Sequence, residues 1–339
     1  MSEDAAEGLR CRSMGEGKRI RVLVVDDSPD SRTLLKAILE AEGDMEIVAE
    51  GEDAFSALAL VEEHRPDVVT MEVQMPGKNG LEAVEQIMFR APVPILVVTA
   101  EPLTDEAGVA FKAIENGAVE VVPKPGNADA AAAKYLRELV RSVAATPAFQ
   151  RVDTRAETAP APASGNIELV VFVGGPGAMS SVLSVAARLP EQSKCPVVLY
   201  EPVAPELLTG YTRYIAKLAK QPVQIAAPPE CRCRPGALVV IPGLRASCMM
   251  KGTFRIESTR PSPSTLLTSI AEVYGSSAAA VVLAGAGEDS IEGLVALRDA
   301  GGATIAEISR DGASPFRAIV GAEASASSLV DRLFAVGFG

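Results

Sequence analysis

Histidine is almost absent from this chain: among 339 residues there is one, His64, in the acidic stretch Val61-Glu62-Glu63-His64-Arg65. Any chemistry placed elsewhere therefore has no imidazole base to draw on. Cysteines are few, odd in number and scattered (Cys11, Cys195, Cys231, Cys233, Cys248). That excludes a disulfide framework and suits a reducing cytoplasm. Cys231-x-Cys233 has no second pair and no nearby histidine, which makes a poor zinc site, so it reads as a solvent-facing turn before Pro235-Gly236. No apolar run is long enough to span a bilayer. The polar start, Met1 to Lys18, lacks the apolar centre of a signal peptide, so residues 1–19 are expected to be a disordered leader on a cytoplasmic protein. Basic residues are outnumbered 32 to 44 by acidic ones, for a net charge of -12. Bulk electrostatics therefore argue against a nucleic-acid or anionic-membrane partner.

What the chain does have is apolar content, 48% of residues, in a pattern that alternates short strands with helices. Its length favours two domains. Over residues 20–145 four apolar runs read as buried parallel strands: Val22 to Val25, Asp67 to Met71, Ile95 to Val98 and Val119 to Val122. A further strand is expected at Glu46 to Ala49, with helices after Asp27 (capped by Ser28 or Asp30), from Asp53 to His64, from Leu81 to Phe89 and from Ala128 to Val143. Residues 146–165, with Pro147, Pro160 and Pro162, read as a linker. A second βα series fills residues 166–339. Its middle is locally rich in strand pattern, which predicts a hairpin edge on a mostly parallel sheet.

Ligand sites in open α/β sheets lie at the carboxyl ends of the strands. Asp26-Asp27, Glu72, Thr99 and Lys124 each follow one of the four runs and should converge. Adjacent carboxylates, a third carboxylate, a hydroxyl and a lysine in this order, with Met75-Pro76-Gly77 and Lys124-Pro125, resemble the phosphorylation site of a two-component receiver domain. The resemblance implies a flavodoxin-like receiver with a five-stranded parallel sheet. It also implies Mg²⁺ on Asp26 and Asp27, oxygen ligands of the kind that ion prefers. The acceptor slot, however, carries Glu72 where the family has aspartate. Glutamate reaches about 1.5 Å further, one bond length, and a misplacement of about 1 Å can cost about a hundredfold in an in-line attack. Glu72 is therefore expected to escape phosphorylation and to pair with Lys124. The aromatic residue usually found three positions before the lysine is Val121 here, a second departure.

The order receiver, linker, α/β domain resembles the chemotaxis protein-glutamate methylesterase/protein-glutamine glutaminase family. The resemblance covers nearly all of the chain after residue 20. It rests on Val119 to Pro125, Arg260-Pro261-Ser262, Gly301 to Ile305 and the glycine-rich run Leu283 to Leu294. It implies a doubly wound, mostly parallel second domain that hydrolyses receptor methyl esters with a Ser-His-Asp triad. Of that triad only Asp289 has a counterpart. The serine slot is Phe172 or Pro176, depending on whether the glycines or the preceding strand are aligned. The histidine slot is Glu201, and Ala286 replaces the oxyanion-loop methionine. Ser180 and Ser181 are the nearest hydroxyls and are expected inside a helix, while Asp289 is left as a helix cap.

The resulting expectation is a degenerate member of this family that signals by binding. Its implied partners are chemoreceptor cytoplasmic tails, the chemotaxis histidine kinase or related chemosensory proteins. The alternative is an active methylesterase or glutaminase with a rearranged nucleophile and base. A transcriptional regulator is disfavoured by the acidic charge and the α/β output domain.

Overall fold

The computed structural model describes residues 19–75, 78–100, 109–126, 129–146, 166–190, 193–308 and 314–338. Nearly all of the expected leader (1–19) and linker (146–165) lies outside these residues.

The first domain is a five-stranded parallel sheet of β1 (Ile20–Val25), β2 (Met45–Gly51), β3 (Val68–Met71), β6 (Ile95–Thr99) and β7 (Glu120–Pro123), in the order β2-β1-β3-β6-β7. A two-residue hairpin, β4 (Gln74–Met75) and β5 (Lys78–Asn79), follows β3. The strands are apolar on both faces because helices cover both. Val22, Val24, Val69 and Val97 are all fully buried. The helices are α1 (Pro29–Leu39), α2 (Ala54–His64), α3 (Gly80–Arg90), α4 (Val109–Glu115) and α5 (Ala130–Ala145). Local chemistry sets their starts. Ser28 caps α1 by accepting from Ser31 N, Pro29 occupies its first turn, and Asp53 caps α2 from Phe55 N and Ser56 N. The strand order reverses between β1 and β3, which places the crevice at the ends of those two strands.

The second domain is a seven-stranded sheet, entirely parallel, in the order β10-β12-β9-β8-β15-β16-β17. Its strands are β8 (Leu169–Val173), β9 (Val197–Glu201), β10 (Val223–Ile225), β12 (Leu238–Pro242), β15 (Ala278–Val282), β16 (Ala303–Glu307) and β17 (Ala322–Ala324). The helices are α6 (Met179–Arg188), α7 (Pro205–Ala219), α8 (Pro263–Tyr274), α9 (Ile291–Asp299) and α10 (Leu329–Ala335). The switch point falls between β8 and β15.

Two sequence expectations are corrected. The β-rich middle is not an edge of the main sheet. It is a separate antiparallel sheet of β11 (Glu230–Arg232), β14 (Thr253–Glu257) and β13 (Arg245–Met250). This small sheet packs its alternate residues, Cys231, Cys248, Phe254 and Ile256, into a core beneath the main sheet. Cys231-x-Cys233 is consequently no solvent-facing turn. Glu230 and Arg232 face water while Cys231 and Cys233 are buried, the period of two that a one-faced strand requires. Burial pushes the Cys248 thiol up to about 12, that of a buried apolar side chain rather than a reactive one.

The domains meet through a shared apolar core. Phe111 of α4 stacks on Tyr214 of α7 at 5.5 Å between ring centres and lies 6.4 Å from Tyr211. Phe111 is 2% exposed and Tyr211 is fully buried. Full burial of one such aromatic side chain is worth about 2–3 kcal/mol.

Candidate functional site

The ends of β1, β3, β6 and β7 are held level by the backbone. Asp26 N donates to Gly51 O, Glu72 N to Val25 O, and Lys124 N to Thr99 O. This brings Asp26, Glu72, Thr99 and Lys124 into one pocket, all but the lysine fully buried, while Asp27 is exposed at its rim. Lys124 Nζ lies 2.7 Å from Asp26 Oδ2 and 3.0 Å from Glu72 Oε2. Burial works against the ammonium charge, but hydrogen bonds and attraction from Asp26 and Glu72 outweigh it and hold Lys124 above its usual value. The extra methylene of Glu72 carries its carboxylate out to two further donors. Gln74 N donates to Oε1 at 3.0 Å and Ala100 N to Oε2 at 3.2 Å. The amides and the lysine that face the end of β3 are thus already spent on this side chain.

Mg²⁺ does not fit this arrangement. The Lys124 ammonium is shared between Asp26 and Glu72 and offsets one of their two charges, and both oxygens of Glu72 accept from protein donors. Among the described residues no group of three acidic, histidine or cysteine side chains is placed to hold a metal.

The second candidate site is the crevice at the switch point of the larger sheet. Phe172 lies inside β8 with its ring buried, so the slot aligned on the strand is Pro176, in the turn Gly174 to Gly177. That turn is pressed against the turn after β15. A Cβ on Gly175 would lie 1.8 Å from Gly285 O, and one on Gly285 would lie 1.9 Å from Pro176 O. Glu201 ends β9 and is buried, where Tyr211 Oη donates to its Oε2. Burial lifts the Glu201 carboxyl to about 7, although the phenol's hydrogen bond pulls it down. Ser180 and Ser181 are both in α6 and buried; Ser181 Oγ donates to Glu307 Oε1 at 2.7 Å, and Ser180 Oγ has no hydrogen-bond partner. Asp289 is exposed, in a short 3₁₀ turn over Glu288–Ser290, and makes no capping hydrogen bond to α9. The capping role read from the sequence is therefore wrong, since Ser290 holds the cap position of that helix. The structure thus brings Pro176 and Glu201 to adjoining strand ends and pairs neither with a nucleophile or a base.

Sequence reasoning missed the residue that fills the crevice. The first turn of α6 has no capping side chain of its own, because Ala178 occupies the cap position. Glu120 of the receiver supplies one from across the domain boundary. Its Oε2 accepts from Gly177 N at 3.2 Å and Met179 N at 3.1 Å, and Ser180 N donates to Val119 O at 3.0 Å. Ser142 Oγ of α5 donates to Pro176 O beside it. The signal available in the sequence was a carboxylate in the middle of the apolar run Val119 to Val122, a position where burial demands a partner.

A receiver sheet with its acceptor pocket, set against the carboxyl ends of an all-parallel α/β sheet, defines a response regulator with an α/β effector domain. A family model described as a response regulator receiver domain matches residues 22–135, and one described as CheB methylesterase matches residues 170–318. The protein-glutamate methylesterase/protein-glutamine glutaminase 3 of Anaeromyxobacter dehalogenans is 35% identical over 309 residues, covering 85% of this chain and 88% of that one. The protein-glutamate methylesterase/protein-glutamine glutaminase of Pyrococcus horikoshii is 31% identical over 316 residues, covering 86% of this chain and 84% of that one. The response regulator domain of Thermotoga maritima CheB is 38% identical and covers 38% of this chain and 97% of that one, with a TM-score of 0.34. The chain belongs to the protein-glutamate methylesterase/protein-glutamine glutaminase family of chemotaxis response regulators. No helix among the described residues is long and apolar enough to cross a membrane.

Proposed function

We propose that this protein is a non-hydrolytic, phosphorylation-independent member of the family that signals by binding chemosensory partners, such as a receptor's cytoplasmic tail or the associated histidine kinase. The observation that carries the reading is the crevice at the switch point. Proline stands at the nucleophile position, a buried glutamate bonded to tyrosine stands at the base position, and the single histidine lies on α2 of the other domain. Removing members of a nucleophilic triad leaves only the residual catalysis of binding and oxyanion groups, several orders of magnitude below normal. Glu120 adds to the loss, since its carboxylate takes two of the α6 amides. In the receiver, Lys124 is already neutralised between Asp26 and Glu72, which supports a fixed rather than switchable state.

Methanol release from methylated receptor by the full-length protein tests the first half of this reading. Release several orders of magnitude slower than that of an enzyme with the complete triad is expected. Turnover that disappears in Ser180→Ala or Glu201→Ala would instead establish the rearranged hydrolase that the relatives' descriptions favour. Capture of chemosensory proteins by wild type, Glu72→Asp and Glu72→Ala tests the second half. Equal binding by all three would remove the fixed switch from the account.

A further inference from the structure

We infer that the outer face of the small antiparallel sheet is a docking surface for an acidic amphipathic helix of a partner protein. Met249 and Met250 receive the apolar stripe of that helix, while Arg232 and Arg255 pair with its carboxylates. The face lies apart from the crevice, so the inference stands whether or not the second domain hydrolyses anything.

The charge of this region runs against that of the chain. Residues 230–255 hold five basic side chains (Arg232, Arg234, Arg245, Lys251, Arg255) against one acidic, Glu230, in a protein whose net charge is -12. A period of two sorts the small sheet into two faces. Cys231, Phe254 and Ile256 are buried, and Arg232 and Arg255 alternate with them on the exposed side. The antiparallel register sets Arg232 opposite Thr253 and Glu230 opposite Arg255. The two arginines are therefore diagonal neighbours, about 7–8 Å apart at the backbone and within reach of one ligand. Glu230 is taken by Arg232 at 3.3 Å, and among the described residues Arg255 has no carboxylate partner. On β13 the ladder gains a residue between Cys248, opposite Phe254, and Met250, opposite Thr253. Met249 is that extra residue, a β-bulge. Strict alternation would send one of two adjacent side chains inward, but the bulge leaves both methionines exposed, at 44% and 60%. Met250 consequently shares a row with Thr253 and Arg232. Adaptable thioethers beside guanidinium groups are what protein interfaces are enriched in.

Two contacts place this face away from the crevice. Lys251, at the tip of the β13–β14 hairpin, pairs with Glu168, the residue before β8, and Gly252 N donates to Tyr274 Oη at the end of α8 at 2.7 Å. The methionines therefore lie toward the amino ends of the main strands, whereas the crevice is at the carboxyl ends. The chemistry of the face selects its occupant. Arginines call for an anionic partner and methionines for an apolar one. A helix presents both one turn apart, with side chains about 5–6 Å from each other. A nucleic acid or an anionic bilayer would extend beyond the patch, where the acidic remainder of the protein repels it within a Debye length of about 8 Å.

Fluorescence anisotropy with a labelled helix-forming peptide of about 20 residues tests the face, using full-length protein at low ionic strength. The peptide carries leucine and glutamate one turn apart on one side, and a second peptide has glutamine in place of glutamate. The glutamate peptide is expected to bind at least about fivefold tighter. Arg232→Glu/Arg255→Glu should abolish that preference. Arg90→Glu/Lys134→Glu, the same charge change on exposed positions of the receiver, should keep it within about twofold. Met249→Ser/Met250→Ser should weaken both peptides by at least about fivefold. Equal affinity for the two peptides overturns the proposal, and so does an equal loss in the receiver control. Tighter binding to a duplex oligonucleotide or to phosphatidylserine vesicles than to the glutamate peptide overturns the choice of a protein helix. Self-association that disappears in Arg232→Glu/Arg255→Glu would give the face to a second copy and overturn it too. If the charge-reversed variant does not fold, Met249→Ser/Met250→Ser decides, and a loss below about twofold overturns the proposal.

Discussion

Glu72 differs from the family's aspartate by one methylene, and that methylene changes what the pocket can do. Its carboxylate reaches Gln74 N, Ala100 N and Lys124 Nζ together, so the donors that would receive a transferred phosphoryl group already hold an anion. Shortening the side chain should release them. Glu72→Asp, incubated with Mg²⁺ and a small-molecule phosphodonor, is expected to gain a phosphoryl group by intact-mass measurement, whereas wild type stays unmodified. The same substitution should produce a Mg²⁺ binding heat that wild type lacks in a calorimetric titration at millimolar metal. Lys124 is the counterpart test, because it alone separates the Asp26 and Glu72 carboxylates. Lys124→Met leaves them buried and unneutralised, which should cost about 3 kcal/mol at pH 7, read as a lower urea midpoint. The pocket was legible in the sequence because each member follows an apolar strand and parallel strands end level. The ion pair itself followed from the length of a glutamate.

At the scale of elements, the turn after β8 and the turn after β15 meet glycine to glycine, closing the crevice where such sheets take their ligands. Gly175→Ala isolates that contact, since its added methyl would lie 1.8 Å from Gly285 O and the backbone there is not left-handed. The turns must part by more than an ångström, so the substitution should destabilise the second domain by about 2–3 kcal/mol, measured as a lower thermal midpoint. Strands and helices with a clear period were readable, and several boundaries differ from the pattern by only one or two residues, as at Val197–Glu201 and Pro263–Tyr274. Of the small sheet only β14, over Thr253–Glu257, was. Its β11 has three residues and its β13 carries Ser, Cys and Met, so neither has the branched apolar run that marks a buried strand. What makes them strands is β14, which pairs with both and puts Phe254 between Cys231 and Cys248. The helix α4 was missed for a related reason. It has seven residues, and its largest apolar side chain, Phe111, stacks on the second domain.

At the scale of the molecule, the sequence shows two domains but not how they sit, because the contacts that join them pair residues from 34 positions apart upward, across the linker. Phe111 against Tyr211 and Tyr214, Glu120 against α6, and Ser142 against Pro176 are all of this kind. None follows from a periodicity within either partner. Together they place the receiver over the carboxyl end of the larger sheet, with a cavity of about 220 Å³ left between α5 and the turn Leu283 to Ala286. Phe111→Ala tests whether this contact unites the molecule energetically. The ring belongs to the receiver, yet its stacking partner is in the other domain, so truncation removes burial that only the docked arrangement provides. Loss of a buried phenylalanine side chain costs about 3–5 kcal/mol where the site does not collapse. Little of that should fall on the receiver alone, because the five strands and their other helices do not depend on Phe111. The cost should fall on docking. In scanning calorimetry wild type is expected to unfold in one cooperative transition. Phe111→Ala should divide it into two, the receiver melting apart from the seven-stranded domain. A single transition merely moved to lower temperature would mean that Phe111 stabilises its own domain and that the interface is held by other contacts.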